Sequence, residues 1–393
     1  MSDNSFIPLS VPVLGGNAVQ YVNECIETEW VSYVGSYVSQ FEHDLAEKSG
    51  APYVAAMNSG TSALHIALIM SGVGMNDEVI MPAITFVSPA NAVRYCGAWP
   101  AFIDISEDDW QMDLTKTEDF LANRCERRQG QCYNKLTGRR VGALMPVHLL
   151  GSMADVDGFA ELARKYELPL VEDGAESLGA TYKGRKMAEP LPDFSDVRRF
   201  VCTSFNGNKI ITTGGGGALF SYCIEDADRA KHLSTTAKSD PLEFIHDEVG
   251  YNYRLTNPAA ALGCSQLEKL NEHVLRKRET AARYGDMLGG DSRVRLMPDS
   301  KYGNSSYWLY TILLKQRASL PVIRKLGDLG IQTRPLWKPM PQLGYLSKNS
   351  HIESYEVGDR VQRSAISLPC SVSITLSDQE RVSEVLLSLL NHE

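Results

Sequence analysis

The chain reads as an α/β protein followed by a smaller α+β unit, and three features lead there. From Glu24 to about Phe220, short apolar runs alternate with helical stretches, the pattern of strands and crossover helices in a largely parallel sheet. A long segment rich in Ala, Leu and charge follows Asn257-Pro258, and the remainder mixes strand and helix patterns. At 393 residues and 43% hydrophobic content the chain can bury one large core and a second, smaller one. Two domains are expected, residues 1–257 and residues 258–393.

The predicted strands of the first unit are Glu78–Met81, Ala101–Asp104, Gly142–Val147, Leu168–Glu172, Phe200–Thr203 and Gly217–Phe220. Several are short and continuously apolar, as parallel strands covered on both faces should be. Phe159, Leu162, Ala163 and Tyr166 recur at helical spacing and predict a helix over Asp157–Tyr166. The polar, basic stretch Asn123–Arg140 shows no periodicity and reads as an exposed insertion. One helix from Ala259 to about Met287 should join the two units. Beyond it, Tyr307–Leu314 reads as strand, with helices over Ser319–Leu329 and Leu376–Leu390.

Composition excludes several function classes. A net charge of -9 argues against a general grip on nucleic acid or anionic membrane, so any phosphate must be met by local groups. Met1 to Ser10 has no basic stretch followed by an apolar run, and no segment stays apolar for the roughly 18 residues a span requires, so a cytoplasmic location is expected. The eight cysteines are scattered, the closest pair being Cys125 and Cys132, which suits reduced thiols rather than a disulfide framework or a metal site.

Three segments could carry chemistry. In Asn58-Ser59-Gly60-Thr61-Ser62-Ala63-Leu64-His65, a glycine and hydroxyl residues precede an apolar helix. Unpaired N–H groups at a helix start favour a phosphate, although the same residues make an ordinary cap. Leu168-Pro169-Leu170-Val171-Glu172-Asp173 ends a buried strand on two carboxylates, where ligands of parallel sheets sit. There Asp173 could stabilise a protonated pyridine nitrogen, or simply cap a helix. Third, Lys209 lies between the turn Ser204-Phe205-Asn206-Gly207-Asn208 and the run Gly214-Gly215-Gly216-Gly217. An aldehyde cofactor needs such an amine as its Schiff-base partner, while a lysine without this context is a solvated surface charge. The run ends in no Gly-Lys-Ser/Thr, so it is not a Walker loop.

The order of these segments, together with Pro82-Ala83-Ile84-Thr85-Phe86-Val87, Glu172-Asp173-Gly174-Ala175-Glu176-Ser177-Leu178-Gly179-Ala180 and Gly250-Tyr251-Asn252-Tyr253-Arg254-Leu255-Thr256, resembles the DegT-like nucleotide-sugar aminotransferases. The resemblance runs from Ile7-Pro8-Leu9-Ser10 through Trp30-Val31-Ser32 to Ser367-Leu368-Pro369. It implies the fold type I of pyridoxal phosphate (PLP) dependent transferases, with a large domain of mainly parallel sheet and a small C-terminal α+β domain. It also implies PLP as cofactor, with Lys209 as the lysine that holds it and moves the proton, and Asp173 as the partner of the pyridinium nitrogen. Gly60, Thr61, Ser62 and Ser204 would meet the phosphate, Phe86 would stack on the ring, and Glu176 would lie near the ring face.

By the same resemblance a homodimer is implied, in which Asn252 reaches the phosphate held by the neighbouring subunit. The amino donor would be L-glutamate and the acceptor a nucleotide-linked keto-sugar. The pattern looks closest to the branch that aminates C4 of a UDP-linked 4-keto-6-deoxy-N-acetylhexosamine for surface-glycan amino sugars. Other dTDP-, GDP- or UDP-linked keto-sugars remain open, at C3 or C4. His148, Arg254, Arg334, Lys338, Trp30, Trp308 and Trp337 are candidates for the sugar nucleotide, each with a structural alternative.

Two positions depart from the family pattern: Gly174 stands where alanine is usual, and Asp196-Val197-Arg198-Arg199-Phe200 replaces a common glycine-aspartate pair. A sugar dehydratase on the same scaffold would carry histidine where Lys209 stands. A non-catalytic binding protein would have lost the lysine or gained a further domain, and an amino-acid aminotransferase stays open on chemistry alone.

Overall fold

The computed structural model describes residues 6–391; residues 1–5 of the expected N-terminal segment lie outside them. Its main element is an eight-stranded sheet made of β1 (Tyr53–Met57), β2 (Glu78–Pro82), β3 (Trp99–Ile103), β4 (Val141–Leu144), β5 (Leu170–Asp173), β6 (Arg199–Ser204), β7 (Gly217–Ser221) and β8 (His351–Ile352). The strand order is β1-β7-β6-β5-β4-β2-β3-β8. Only β7 runs antiparallel to its neighbours, β1 and β6; the other pairings are parallel. The carboxyl ends of β1, β2, β4, β5 and β6 therefore meet at one edge, where loops can converge on a ligand.

Burial explains the sequence pattern. Strands β2, β4, β5 and β7 are buried at every residue, so their apolar runs are continuous. The helix Gly60–Met70 is buried at all but two of its eleven residues, because it is sandwiched between the sheet and its neighbouring helices. A separate antiparallel sheet of Val294–Arg295, Tyr310–Leu314 and Ala365–Leu368 forms the core of the C-terminal part, beside helices Ser319–Asp328 and Leu376–Asn391. The expected strands are all present, with ends moved by at most three residues.

Three expectations change. Asn123–Arg140 is not a shapeless insertion: Cys125–Arg128 and Gln131–Asn134 pair as a hairpin that buries Cys125, Cys132 and Asn134. Its turn residues Gln129 and Gly130 both have positive φ, 51° and 80°, as a two-residue hairpin turn requires. Asn134 Nδ2 then donates to buried Glu78 Oε2 at 2.8 Å, tying the hairpin to β2. The joining helix is two helices, Asn257–Leu267 and Leu270–Leu288, broken at Glu268-Lys269. The two helices have different neighbours: the first lies against Ala18–Glu27 and Ser36–Ser49, the second against Leu376–Asn391. Finally, β8 comes from beyond residue 257 yet extends the large sheet beside β3. Among the described residues, no helix is long and apolar enough to cross a membrane.

Candidate active site

At the shared carboxyl edge lies a cavity of about 250 Å³ lined from the strand ends by residues including Thr61, Phe86, Asp173, Glu176, Ser204 and Lys209, and from the C-terminal part by Trp308 and Trp337. Each arrives for a local reason. Ser59 follows β1 in extended conformation and its Oγ accepts from Ser62 N–H at 3.0 Å, which starts the helix and leaves the first-turn amides of Gly60 and Thr61 bordering the cavity. Gly60 is required by closeness: a Cβ there would lie 2.9 Å from Ser204 Cβ and 3.1 Å from the Thr203 carbonyl. Helix start and strand-end hydroxyl thus share one corner, a cradle for an anion.

Asp173 ends β5 and is buried; one carboxylate oxygen accepts from Ala175 N–H at 2.9 Å. Burial pushes its carboxyl above the ordinary value, while the Ala175 N–H and Lys209 pull it back. Lys209 enters from the turn after β6. Its amine stands 3.7 Å from Glu176 Oε1 and 3.8 Å from the centroid of the Trp308 ring. Burial drives its pKa down, with Glu176 and then Asp173 opposing. Glu176 is buried, accepts from Leu150 N–H at 2.7 Å, and burial pushes its carboxyl up to about 7 despite Lys209.

One wall is aromatic. Trp308 and Trp337 stack with centroids 6.3 Å apart and planes 7° from parallel, and Trp308 Nε1 donates to the Asn208 carbonyl at 2.7 Å. Both line the cavity, as does half-exposed Phe86. Sequence reasoning did not single out Asn58, Thr85 or Ala175 as lining residues. Asn58 carried a signal, since it opens the Asn-Ser-Gly-Thr turn.

The structure uses other expected residues differently. Ser62 Oγ donates to Asn58 Oδ1 at 2.7 Å and does not line the cavity, so it braces the turn instead. His148 is fully buried behind the cavity: Nδ1 accepts from Ala154 N–H at 3.2 Å, and Nε2 meets Glu172 Oε2 at 2.9 Å. With both ring nitrogens engaged, it has none to offer a substrate. Arg254 pairs with Glu42 at 2.7 Å and donates to the Ala56 carbonyl. Together with exposed Trp30, it lines a separate open groove of about 690 Å³. Arg334 and Lys338 are exposed outside the cavity lining. Asn252 is exposed as well, its carbonyl accepting from Asn58 Nδ2 at 3.2 Å.

Both departures have structural reasons. A Cβ at Gly174 would come within 2.5 Å of Met187 Cε, so Met187 fills the space of the usual methyl. Arg199 pairs with Glu172 beneath Asp173 and also donates to the Glu189 carbonyl at 2.8 Å, neutralising a fully buried carboxylate.

An amine, a buried carboxylate, an anion cradle and a flanking aromatic side chain suit a flat phosphorylated pyridine aldehyde, so these residues fit PLP. Comparison with known proteins agrees. Residues 12–387 match the model of the DegT/DnrJ/EryC1/StrS aminotransferase family. The chain is similar to GDP-perosamine synthase of Caulobacter vibrioides, 34% identical over 99% of this chain and 100% of that protein. It is also similar to UDP-4-amino-4,6-dideoxy-N-acetyl-beta-L-altrosamine transaminase of Campylobacter jejuni, 30% identical over 91% of this chain and 90% of the relative. Among solved structures, the aminotransferase TlmJ of Streptoalloteichus hindustanus superposes with a TM-score of 0.86 at 28% identity, covering 98% of this chain and 99% of TlmJ. The chain therefore belongs to the DegT/DnrJ/EryC1/StrS aminotransferase family and is a PLP-dependent aminotransferase.

Proposed function

We propose that this enzyme transfers an amino group from L-glutamate to C4 of a nucleotide-linked 4-keto-6-deoxy sugar. The observation that carries the reading is the part-buried Lys209 amine, which shares one cavity with Asp173 and the Gly60-Thr61 helix start. Bound PLP supplies an aldehyde for amine exchange and a ring that accepts electrons. Asp173 would hold a proton on the ring nitrogen, and its burial strengthens that charge pairing. Gly60, Thr61 and Ser204 would take the phosphate, with Phe86 against the ring. Lys209 would give up its bond to the cofactor when an incoming amine arrives, then carry a proton between carbon atoms as a free amine.

Its acceptor is a nucleotide sugar. Support for a UDP-linked N-acetylhexosamine comes from the similarity to the altrosamine transaminase. A GDP-linked sugar is the second reading, favoured by the greater similarity to GDP-perosamine synthase. The exposed apolar residues Trp30, Val31 and Val34, with Phe86, support a homodimer in which Asn252 serves the neighbouring phosphate. Incubating the enzyme with glutamate and matched UDP- and GDP-linked 4-keto sugars, and reading products by mass and NMR, tests the assignment. Amination of neither, with amination of a free keto-acid, would overturn it.

A further inference from the structure

Two groups close on the Lys209 amine from different elements. Glu176 Oε1 lies 3.7 Å away in the loop after β5, and the Trp308 ring face lies 3.8 Å away in the loop before Tyr310–Leu314. Neither is placed by chance. Leu150 N–H grips Glu176 Oε2 at 2.7 Å, in a turn where Leu150 has φ 60° and Gly151 φ 98°. Ser306 N–H donates to the Gly151 carbonyl at 2.9 Å, and Ser306 Oγ to the Glu176 carbonyl at 3.2 Å, so the Glu176 and Trp308 loops are tied together. Trp308 is held by Asn208, by the Trp337 stack, and by buried Lys277, whose Nζ donates to the Trp308 carbonyl at 2.8 Å.

A carboxylate and an indole face both favour a cation over a neutral amine. Among the described residues, the other charged group acting on Lys209 is Asp173, which the proposed function assigns to the ring nitrogen; Glu172, behind it, is spent on His148 and Arg199. We propose that Glu176 and Trp308 form a cage for the Lys209 ammonium, holding the amine in its charged form after it has taken a proton from the substrate carbon. This rests on the reading of Lys209 as the proton carrier. At that step a C–H bond breaks, its electron pair passes to the bound ring system, and an N–H bond forms on Lys209. The same proton is later delivered to the second carbon and the amine returns to neutral, with no net proton gained. Glu176 and Trp308 are positioning residues in this scheme. They also make Lys209 a stronger base than its burial alone would allow, which agrees with Glu176 being the first group opposing the fall in its pKa.

The experiment is a titration of Lys209 in the cofactor-free protein. The rate of its reductive methylation by formaldehyde and cyanoborohydride is followed against pH, with peptide mapping at position 209. Glu176→Gln keeps the shape and the acceptor for Leu150 N–H; it should lower the pH midpoint by about 1, equivalent to about tenfold more free amine at neutral pH. Trp308→Leu should shift it the same way by less. In the loaded Glu176→Gln enzyme, the half-reaction with glutamate should slow about tenfold or more. An unmoved or raised midpoint in both variants would overturn the cage, as would lost cofactor affinity with an unmoved midpoint. Failure of PLP to attach at Lys209 in the unaltered protein would instead overturn the lysine's assignment, a result the amine titration does not depend on.

Discussion

Lys209 and Asp173 differ in what their removal should show. Lys209→Ala deletes the amine but leaves the surrounding loops, so it should abolish turnover and the visible absorbance of the loaded enzyme with the fold intact by circular dichroism. Asp173→Asn keeps an acceptor for Ala175 N–H and so should fold, yet it loses the charge that pairs with a protonated ring. A fall of about 10²–10³-fold in kcat, the scale of losing one preorganised electrostatic group, is expected with a melting point moved by only a few degrees. Glu172 is the structural counterpart: Glu172→Gln would strand the buried Arg199 guanidinium, at a cost of about 3–5 kcal/mol in urea denaturation.

Elements meet at two contacts that can be tested separately. Gly60→Ala would force its methyl against Ser204 Cβ and the Thr203 carbonyl, prising the helix start from the end of β6. PLP affinity should weaken about tenfold or more, about 1.4 kcal/mol, by fluorescence titration of the cofactor-free protein. Asp104, just past β3, caps a helix distant in sequence: its carboxylate accepts from Val357 N–H at 3.0 Å and Gly358 N–H at 2.9 Å, and Lys116 Nζ lies at 2.9 Å. Asp104→Ala would leave the start of Glu356–Ser364 uncapped, and a loss of about 2–3 kcal/mol is expected in urea denaturation.

The whole molecule should respond to acid through the His148–Glu172–Arg199 network. Burial pushes the Glu172 carboxyl up, but Arg199 and then His148 outweigh it and hold the folded-state value at about 2, against an ordinary 4.5. A depressed value contributes stability above about pH 4.5 that is lost as pH falls towards 2. Thermal melts of Glu172→Gln should therefore fall less steeply across that window than those of the unaltered protein. In solution, light scattering should find a species of twice the monomer mass, as a second copy covering the apolar surface around Trp30 and Val34 would produce.

The meeting of these segments at one edge of the sheet was legible because they sit where local rules are strong. Strand ends at Asp173 and Ser204, a hydroxyl-rich helix start at Ser59 and a lysine beside glycines follow from apolar runs and caps, and the family resemblance assigned their roles. Tertiary packing decided the rest. Whether His148 faces a ligand or Glu172, whether Arg254 is free or bound to Glu42, and whether Ser62 meets an anion or Asn58 depend on partners 4 to 212 residues away in the chain. The Cys125–Asn134 hairpin escaped detection because two four-residue strands of mixed burial are too short for a period to emerge. The enclosure of Lys209 by Glu176 and Trp308 likewise joins residues far apart in sequence, and only folding brings a carboxylate and an indole to one amine.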